Sequence, residues 1–393
     1  MTYRILLAGG GTGGHVFPML AVAEALRERT AGDVELTFIG TAKGIETRVV
    51  PAAGERLELL DVAPLRGGGP VGLAKGLFRA VGVLPTALRL VDRLRPDVVF
   101  SVGGYAAGPV TLAARIRRIP VTLLEPNSVM GFTNRLLRPL VCRGYVCFPE
   151  TEASFSPSVG RWTGVPLRGA FTPSPPPENE VPRVLVMGGS QGALALNETL
   201  PRAFRRCHDR GLEFTIRHQA GRDKDDATRA LYRELGLEAH VTPFIDDVAG
   251  ALAEADLVVE RAGAGSLAEL CAVGRPGVLI PYPYAADDHQ LHNAESLAKG
   301  GAARCVVQGE ATDERLAEVI SDLLEDRGRL AKMAGRAAER GRPDAARVVA
   351  EDLLSLAAET RRRKGPHPIE EGPRAARRQM LAPVKGREEG WSR

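Results

Sequence analysis

The chain has 393 residues, 44% hydrophobic and 25% charged, a composition that fits a globular protein of two domains and excludes a fibrous or wholly disordered one. No uncharged apolar run reaches the roughly 18 residues a membrane-spanning helix needs, the first residues enter a strand pattern rather than a secretory leader, and five cysteines without a CxxC pair (Cys142, Cys147, Cys207, Cys271, Cys305) read as reduced intracellular thiols. The net charge of +4 is uneven: residues 360–393 hold ten Lys or Arg against four Glu and residues 1–359 hold 42 against 44 acids, so the body is nearly neutral and the basic end is expected to be a disordered tail, with no nucleic-acid partner.

The first apolar run, residues 4–8, leads into Gly9-Gly10-Gly11-Thr12-Gly13-Gly14-His15 and then a helical pattern over residues 18–28. Glycines in such a turn let backbone N–H groups approach a ligand, and the helix start behind them carries partial positive charge, so an anion is the natural guest. An imidazole at the rim titrates near neutral pH, and a helix N-terminus favours its neutral, basic form. Apolar runs follow at 35–40, 97–102 and 121–125. The third of these N-terminal strands enters Gly103-Gly104-Tyr105, and the fourth ends in Glu125-Pro126-Asn127-Ser128. Between them, residues 71–95 place Leu77, Val81, Leu84, Leu88 and Val91 on one helical stripe beside Lys75, Arg79, Arg89 and Arg93, which suits either a core-facing helix or a membrane-surface face.

Prolines accumulate over residues 164–182, after which the pattern restarts. The run 184–187 enters Gly188-Gly189-Ser190-Gln191-Gly192-Ala193, and further runs at 214–218, 257–260 and 277–281 complete a second βα alternation. The reading is α/β, with two doubly wound Rossmann-like domains facing a central cleft. Boundaries are expected at 1–163 for the first domain, 164–182 for a linker, 183–340 for the second domain, 341–359 for a C-terminal helix and 360–393 for the tail.

In the second half, Arg261-Ala262-Gly263-Ala264-Gly265-Ser266-Leu267-Ala268-Glu269 joins a strand to a helix through small residues. Its backbone N–H groups suit a diphosphate, and Glu269 suits ribose hydroxyls. Gln290 and Asn293 lie at another strand-to-helix junction, where side-chain amides read sugar hydroxyls. Three competing signals are weaker. Gly9, Gly11 and Gly14 have dinucleotide spacing, but the second strand ends in glycine without the ribose-binding acid of a dehydrogenase. Asp223-Lys224-Asp225 has a metal-binding DxD form yet sits where it would start a helix. His289 and His292 lack the spacing of a helical zinc pair, and Ser190 lacks a hydrolase triad, so no metal is assigned.

Gly10 to Pro18, Gly103-Gly104-Tyr105 to Gly108-Pro109, Gly188 to Ala193, Phe244-Ile245-Asp246-Asp247 and Asp288-His289-Gln290 to Asn293-Ala294 closely resemble, in order and spacing, the bacterial MurG family. The resemblance covers residues 3–355 and implies a GT-B fold, with peripheral attachment at the cytoplasmic face of the plasma membrane. The implied activity is inverting transfer of GlcNAc from the donor UDP-GlcNAc to lipid I, making lipid II. It implies donor contacts at Thr12, Gly13, Gly14, Asn127, Arg168, Ser190, Ile245, the run from Ala264 to Glu269, and Gln290. His15 is implied as general base, alone or helped by Glu125, with Glu125 and Tyr105 as catalytic residues of the cleft. Implied partners are an anionic membrane surface, touched through Leu77, Phe78 and Arg79, and cell-wall synthesis or division proteins. One departure is Pro126, where the family commonly has glutamine. Open alternatives are a GT-B transferase with another lipid or natural-product acceptor, a UDP-GlcNAc 2-epimerase, and a non-catalytic sugar-nucleotide-binding subunit.

Overall fold

The computed structural model describes residues 2–62, 69–104, 106–169, 171–189 and 192–364, without the side chains of residues 69–81 and 364. The first sheet is built from β1 (Tyr3–Ala8), β2 (Val34–Gly40), β3 (Arg56–Leu59), β4 (Val98–Ser101), β5 (Val121–Glu125), β6 (Arg143–Val146) and β7 (Gly160–Trp162), in the order β3-β2-β1-β4-β5-β6-β7. The second contains β8 (Arg183–Met187), β9 (Thr215–Gln219), β10 (His240–Thr242), β11 (Leu257–Glu260), β12 (Gly277–Leu279) and β13 (Ala303–Cys305), in the order β10-β9-β8-β11-β12-β13. Pairing is parallel in both, as in β1 with β4 and β8 with β11. Each order reverses at one point, between β1 and β4 and between β8 and β11. At such a switch point the flanking crossovers leave on opposite faces and open a crevice at the carboxyl ends of the strands.

The central strands are continuous apolar runs because helices cover them on both faces. On one face of the first sheet, Val16, Met19, Val22 and Leu26 of the helix Gly13–Arg29 meet Ile5, Leu7, Phe38 and Phe100. On the other, the helices Gly69–Leu94 and Ala107–Ile116 bring Leu90, Val91, Val110 and Ala113 against Leu6, Val99 and Val121. Each fully buried side chain of this size contributes about 1.5–3 kcal/mol. Leu84, Leu88 and Val91 of the expected amphipathic stripe pack into this layer, so its C-terminal half faces the core. In the second sheet, Leu200 and Phe204 of the helix Leu194–Asp209 and Ile320 of the helix Asp313–Leu324 cover one face. The helices Ala264–Val273 and His289–Lys299 cover the other.

Two features correct the expected boundaries. The last helix runs from Ala345 to Lys364, past the expected start of the tail at residue 360, and it returns to the first domain, where Val349, Leu353 and Leu356 join the core around Ile5 and Phe100. Its end is tied down: Thr360 donates to the carbonyl of Leu356, and the Arg361 guanidinium pairs with buried Asp97 at 2.6 Å. The proline-rich linker is also stitched to the second domain. Fully buried Arg275 donates to the carbonyls of Ser174 and Pro175 in the linker and of Leu252 and Ala253 in the domain.

Candidate active site

At the first glycine turn, a Cβ at Gly104 would lie 2.8 Å from the carbonyl oxygen of Gly10, so the turns after β1 and β4 interlock only because Gly104 has no side chain. The Gly10 carbonyl accepts from His15 Nδ1 at 3.0 Å, and Thr12 Oγ1 lies 3.4 Å from the same nitrogen. The proton therefore sits on Nδ1 and Nε2 is left as the basic nitrogen. Burial lowers the imidazole from its ordinary pKa, the Gly10 hydrogen bond opposes this, His289 from the other domain lowers it further, and Glu46 opposes. The result is a neutral base at the cleft. Thr12 caps the helix without a side-chain hydrogen bond, leaving the N–H groups of Gly13 and Gly14 at an open helix end.

Glu46 is the residue the sequence reading missed. It is 1% exposed, and its carboxylate accepts from Gly11 N–H at 2.9 Å, Thr41 N–H at 2.8 Å and the Thr41 hydroxyl at 3.0 Å. A methyl group at Gly10, Gly40 or Gly44 would overlap that carboxylate.

Glu125, expected in the cleft, is instead buried at the carboxyl end of β5, where its carboxylate accepts from the N–H groups of Asn127 (3.0 Å) and Gly131 (2.9 Å) and from the Asn134 amide (2.8 Å). Burial pushes this carboxyl up while these donors pull it down. It shapes the loop from residue 125 to 134, and its backbone donors are Asn127 and Gly131, so the N–H that Pro126 lacks is not among them. Asn293 is likewise consumed. It is fully buried, accepts from Ser128 N–H at 2.8 Å, and donates to Asn127 Oδ1 and the Ala262 carbonyl, both at 3.2 Å. It joins the two domains and has no amide N–H left over for a sugar.

Across the cleft, the helix Ala264–Val273 starts behind Gly263 with no side-chain cap and no acid in its first turn, so the N–H groups of Gly265 and Ser266 face outward unclaimed. The Leu267 side chain is buried in the core, and Ala268 lines a small cavity with Cys147, Trp162, Cys271 and Arg340. Burial pushes the Glu269 carboxyl up to about 7, against the pull of Arg168. Arg168 stacks over the Phe17 ring at 5.3 Å and so ties the linker to the first domain. Gln290 accepts from Tyr282 N–H at 3.0 Å, which leaves its amide NH2 free to donate. Ile245 is buried and presents only backbone, beside exposed Phe244. Tyr105 and Ser190 lie outside the described residues, and Leu77, Phe78 and Arg79 are described as helical backbone alone.

Asp225 and Asp226 stand in the first turn of the helix Asp225–Glu234 and pair with Arg229, which is the helix-starting role. Below the second glycine turn, buried His218 bonds Tyr232 OH at 2.9 Å and Asn197 Oδ1 at 3.1 Å, while Asn197 donates to the Ala220 carbonyl against which Gly192 packs. Burial lowers His218 to about 3.

Two facing Rossmann-like domains, a neutral imidazole on one glycine turn and an open helix end with a carboxyl on the other define a nucleotide-sugar glycosyltransferase of the GT-B type. The glycosyltransferase family 28 N-terminal domain matches residues 5–145 and its C-terminal domain residues 183–349. A UDP-N-acetylglucosamine--N-acetylmuramyl-(pentapeptide) pyrophosphoryl-undecaprenol N-acetylglucosamine transferase from Sorangium cellulosum is 56% identical, over 91% of this chain and 90% of its own. The crystal structure of MurG from Acinetobacter baumannii superposes with a TM-score of 0.78 at 33% identity, covering 90% of this chain and 99% of its own. The chain belongs to the MurG family. A UDP-GlcNAc 2-epimerase from Neisseria meningitidis shares the fold alone, with a TM-score of 0.63 at 14% identity over 90% of this chain and all of its own.

Proposed function

We propose that the protein transfers GlcNAc from UDP-GlcNAc to the muramyl 4-hydroxyl of lipid I, undecaprenyl-pyrophosphoryl-MurNAc-pentapeptide, giving lipid II for peptidoglycan. The observation that carries the chemistry is His15, whose Nδ1 proton is committed to Gly10 and whose Nε2 is therefore a base. The acceptor oxygen attacks the anomeric carbon opposite the departing UDP, the bond from that carbon to the phosphate oxygen breaks, and Nε2 takes the hydroxyl proton. The product is β-linked. Charge developing on the diphosphate falls on the N–H groups of Gly265 and Ser266 and on the dipole of their helix. Glu269 accepts from the ribose hydroxyls, the Gln290 amide donates to the GlcNAc, and the backbone at Ile245 holds the uracil. Glu125, Asn127 and Asn293 act in this reading as supports of the cleft, since their polar groups already serve one another.

The positive field in this scheme comes from N–H groups, so turnover is expected to persist with EDTA present. No helix among the described residues is long and apolar enough to cross a membrane. A polyprenyl acceptor stays in the bilayer, so the enzyme works as a peripheral protein at the cytoplasmic face of the plasma membrane. Radiolabelled UDP-GlcNAc with lipid I or a short-chain analogue tests the whole reading: labelled lipid II is expected. Release of 2-epimerised sugar without acceptor, or binding without turnover, would overturn it. In the same assay His15→Ala should lower kcat about 10²-fold or more with little change in donor affinity. Near-normal turnover would move the base elsewhere.

A further inference from the structure

His15 is held by the chain that is folded around Glu46. This carboxylate, at the start of the helix Glu46–Ala52, is buried and takes three donors, among them the Gly11 N–H of the first glycine turn. The peptide joining Gly10 to Gly11 thus has its N–H on Glu46 and its C=O on His15 Nδ1. An N–H bound to a carboxylate makes the carbonyl of the same peptide a stronger acceptor, because hydrogen bonds in a chain polarise one another. Three glycines, Gly10, Gly40 and Gly44, leave the space the carboxylate fills. Two stretches of chain, the first glycine turn and residues 40–44, are therefore shaped to this one side chain. A carboxylate reached from a base through an intervening group orients that base and fixes its tautomer, as the acid of a hydrolase triad does by direct contact.

We propose that Glu46 is a positioning residue for His15, acting through the Gly10–Gly11 peptide to hold the proton on Nδ1 and to raise the basicity of Nε2. The proposal rests on the reading of His15 as the base. Two charged or titratable groups act on the imidazole: Glu46 from beneath, favouring its charged form, and His289 from the opposite domain, disfavouring it. The Gly10 carbonyl and Thr12 hydroxyl are its neutral neighbours. With Glu46 neutralised, the His289 influence and burial act unopposed by charge.

The test pairs an observable that does not depend on catalysis with one that does. In Glu46→Gln the side chain keeps its length and one acceptor oxygen but loses its charge. The imidazole titration of His15, followed by NMR on histidine-labelled protein and assigned with His15→Ala, is expected to move to lower pH. The acidic limb of the kcat/KM profile should move with it, and UDP affinity should change by less than about twofold, because Glu46 binds the turn at Gly11 and not at the N–H groups of Gly13, Gly14, Gly265 or Ser266. Glu46→Asp, which cannot reach the turn, should lower kcat about 10-fold or more at unchanged donor KM. An unmoved His15 titration in Glu46→Gln, in protein whose melting is cooperative, overturns the proposal. A moved titration with an unmoved rate profile supports the placement of Glu46 and instead overturns the assignment of His15 as base.

Discussion

A carboxyl group buried without a hydrogen-bond partner costs stability, and more so once it ionises. Glu260, at the carboxyl end of β11, is such a group: fully buried, with no partner for either oxygen among the described residues. Burial, with the charge of Glu269 added, pushes it well above the usual carboxyl range. The folded state therefore holds a proton that the unfolded chain releases above about pH 4.3. Stability from this group is full below that pH and is lost as pH rises towards the folded value, at up to about 1.4 kcal/mol per unit. Glu260→Met is expected to match wild type near pH 4 and to gain on it steadily from pH 5 to 8 in urea melts. A gap that does not depend on pH would show that the carboxyl is ionised and paired. Glu269, raised to about 7, is expected to accept ribose hydroxyls more strongly when ionised, with both oxygens as acceptors. UDP affinity should fall as pH drops below 7 in wild type, and stay flat in Glu269→Gln. Glu269→Ala should weaken UDP and UDP-GlcNAc alike, whereas Gln290→Ala should weaken UDP-GlcNAc by about 10-fold more than UDP. Equal losses in calorimetric titrations of the Gln290 variant would remove it from the sugar.

Which elements the sequence reveals follows from where they lie. β1, β4, β5, β8 and β11 are buried on both faces, so they read as unbroken apolar runs, and the turns after β1, β4 and β8 need glycine. The edge strands β3, β7, β10 and β13, three or four residues long and half exposed, carry no such run and were not expected. The same limit applies to side chains. His15 is legible because it touches its own turn, five residues away from Gly10, while Glu46 meets Gly11 across 35 residues and Asn293 meets Asn127 across 166. The return of the last helix to the first domain is equally non-local, and it sets a prediction. Truncation after Lys364 should leave melting unchanged. Truncation after Glu359 removes Arg361 from buried Asp97 and should cost about 3 kcal/mol, since the carboxylate is left unpaired. Identical melting of the two truncated proteins would mean that Asp97 finds another partner.

At the scale of the molecule, the cleft must meet a substrate whose lipid never leaves the bilayer. The helices Gly69–Leu94 and Ala107–Ile116 form one face of the first domain, opposite the helix Gly13–Arg29 that begins at His15's turn. Part of it is already committed: Leu84, Leu88 and Val91 pack inward, and exposed Arg117 is held by Asp92 at 2.6 and 2.7 Å. Beside them Ile116 is 47% exposed and Arg115 and Arg118 are exposed, an apolar residue flanked by cations of the kind that settles on anionic headgroups. Leu77, Phe78 and Arg79 lie in the N-terminal half of the neighbouring helix Gly69–Leu94. A protein carrying Leu77→Ser, Phe78→Ser and Arg79→Glu should bind vesicles containing anionic phospholipid about 10-fold more weakly. Turnover on a full-length polyprenyl acceptor should fall with it, and turnover on a short-chain analogue should be spared, because docking aims the cleft without taking part in bond making. High salt should weaken wild-type vesicle binding, as screening of the arginines requires. Unchanged vesicle binding together with a lowered melting temperature would assign these three residues to the core and place the membrane face elsewhere on the domain.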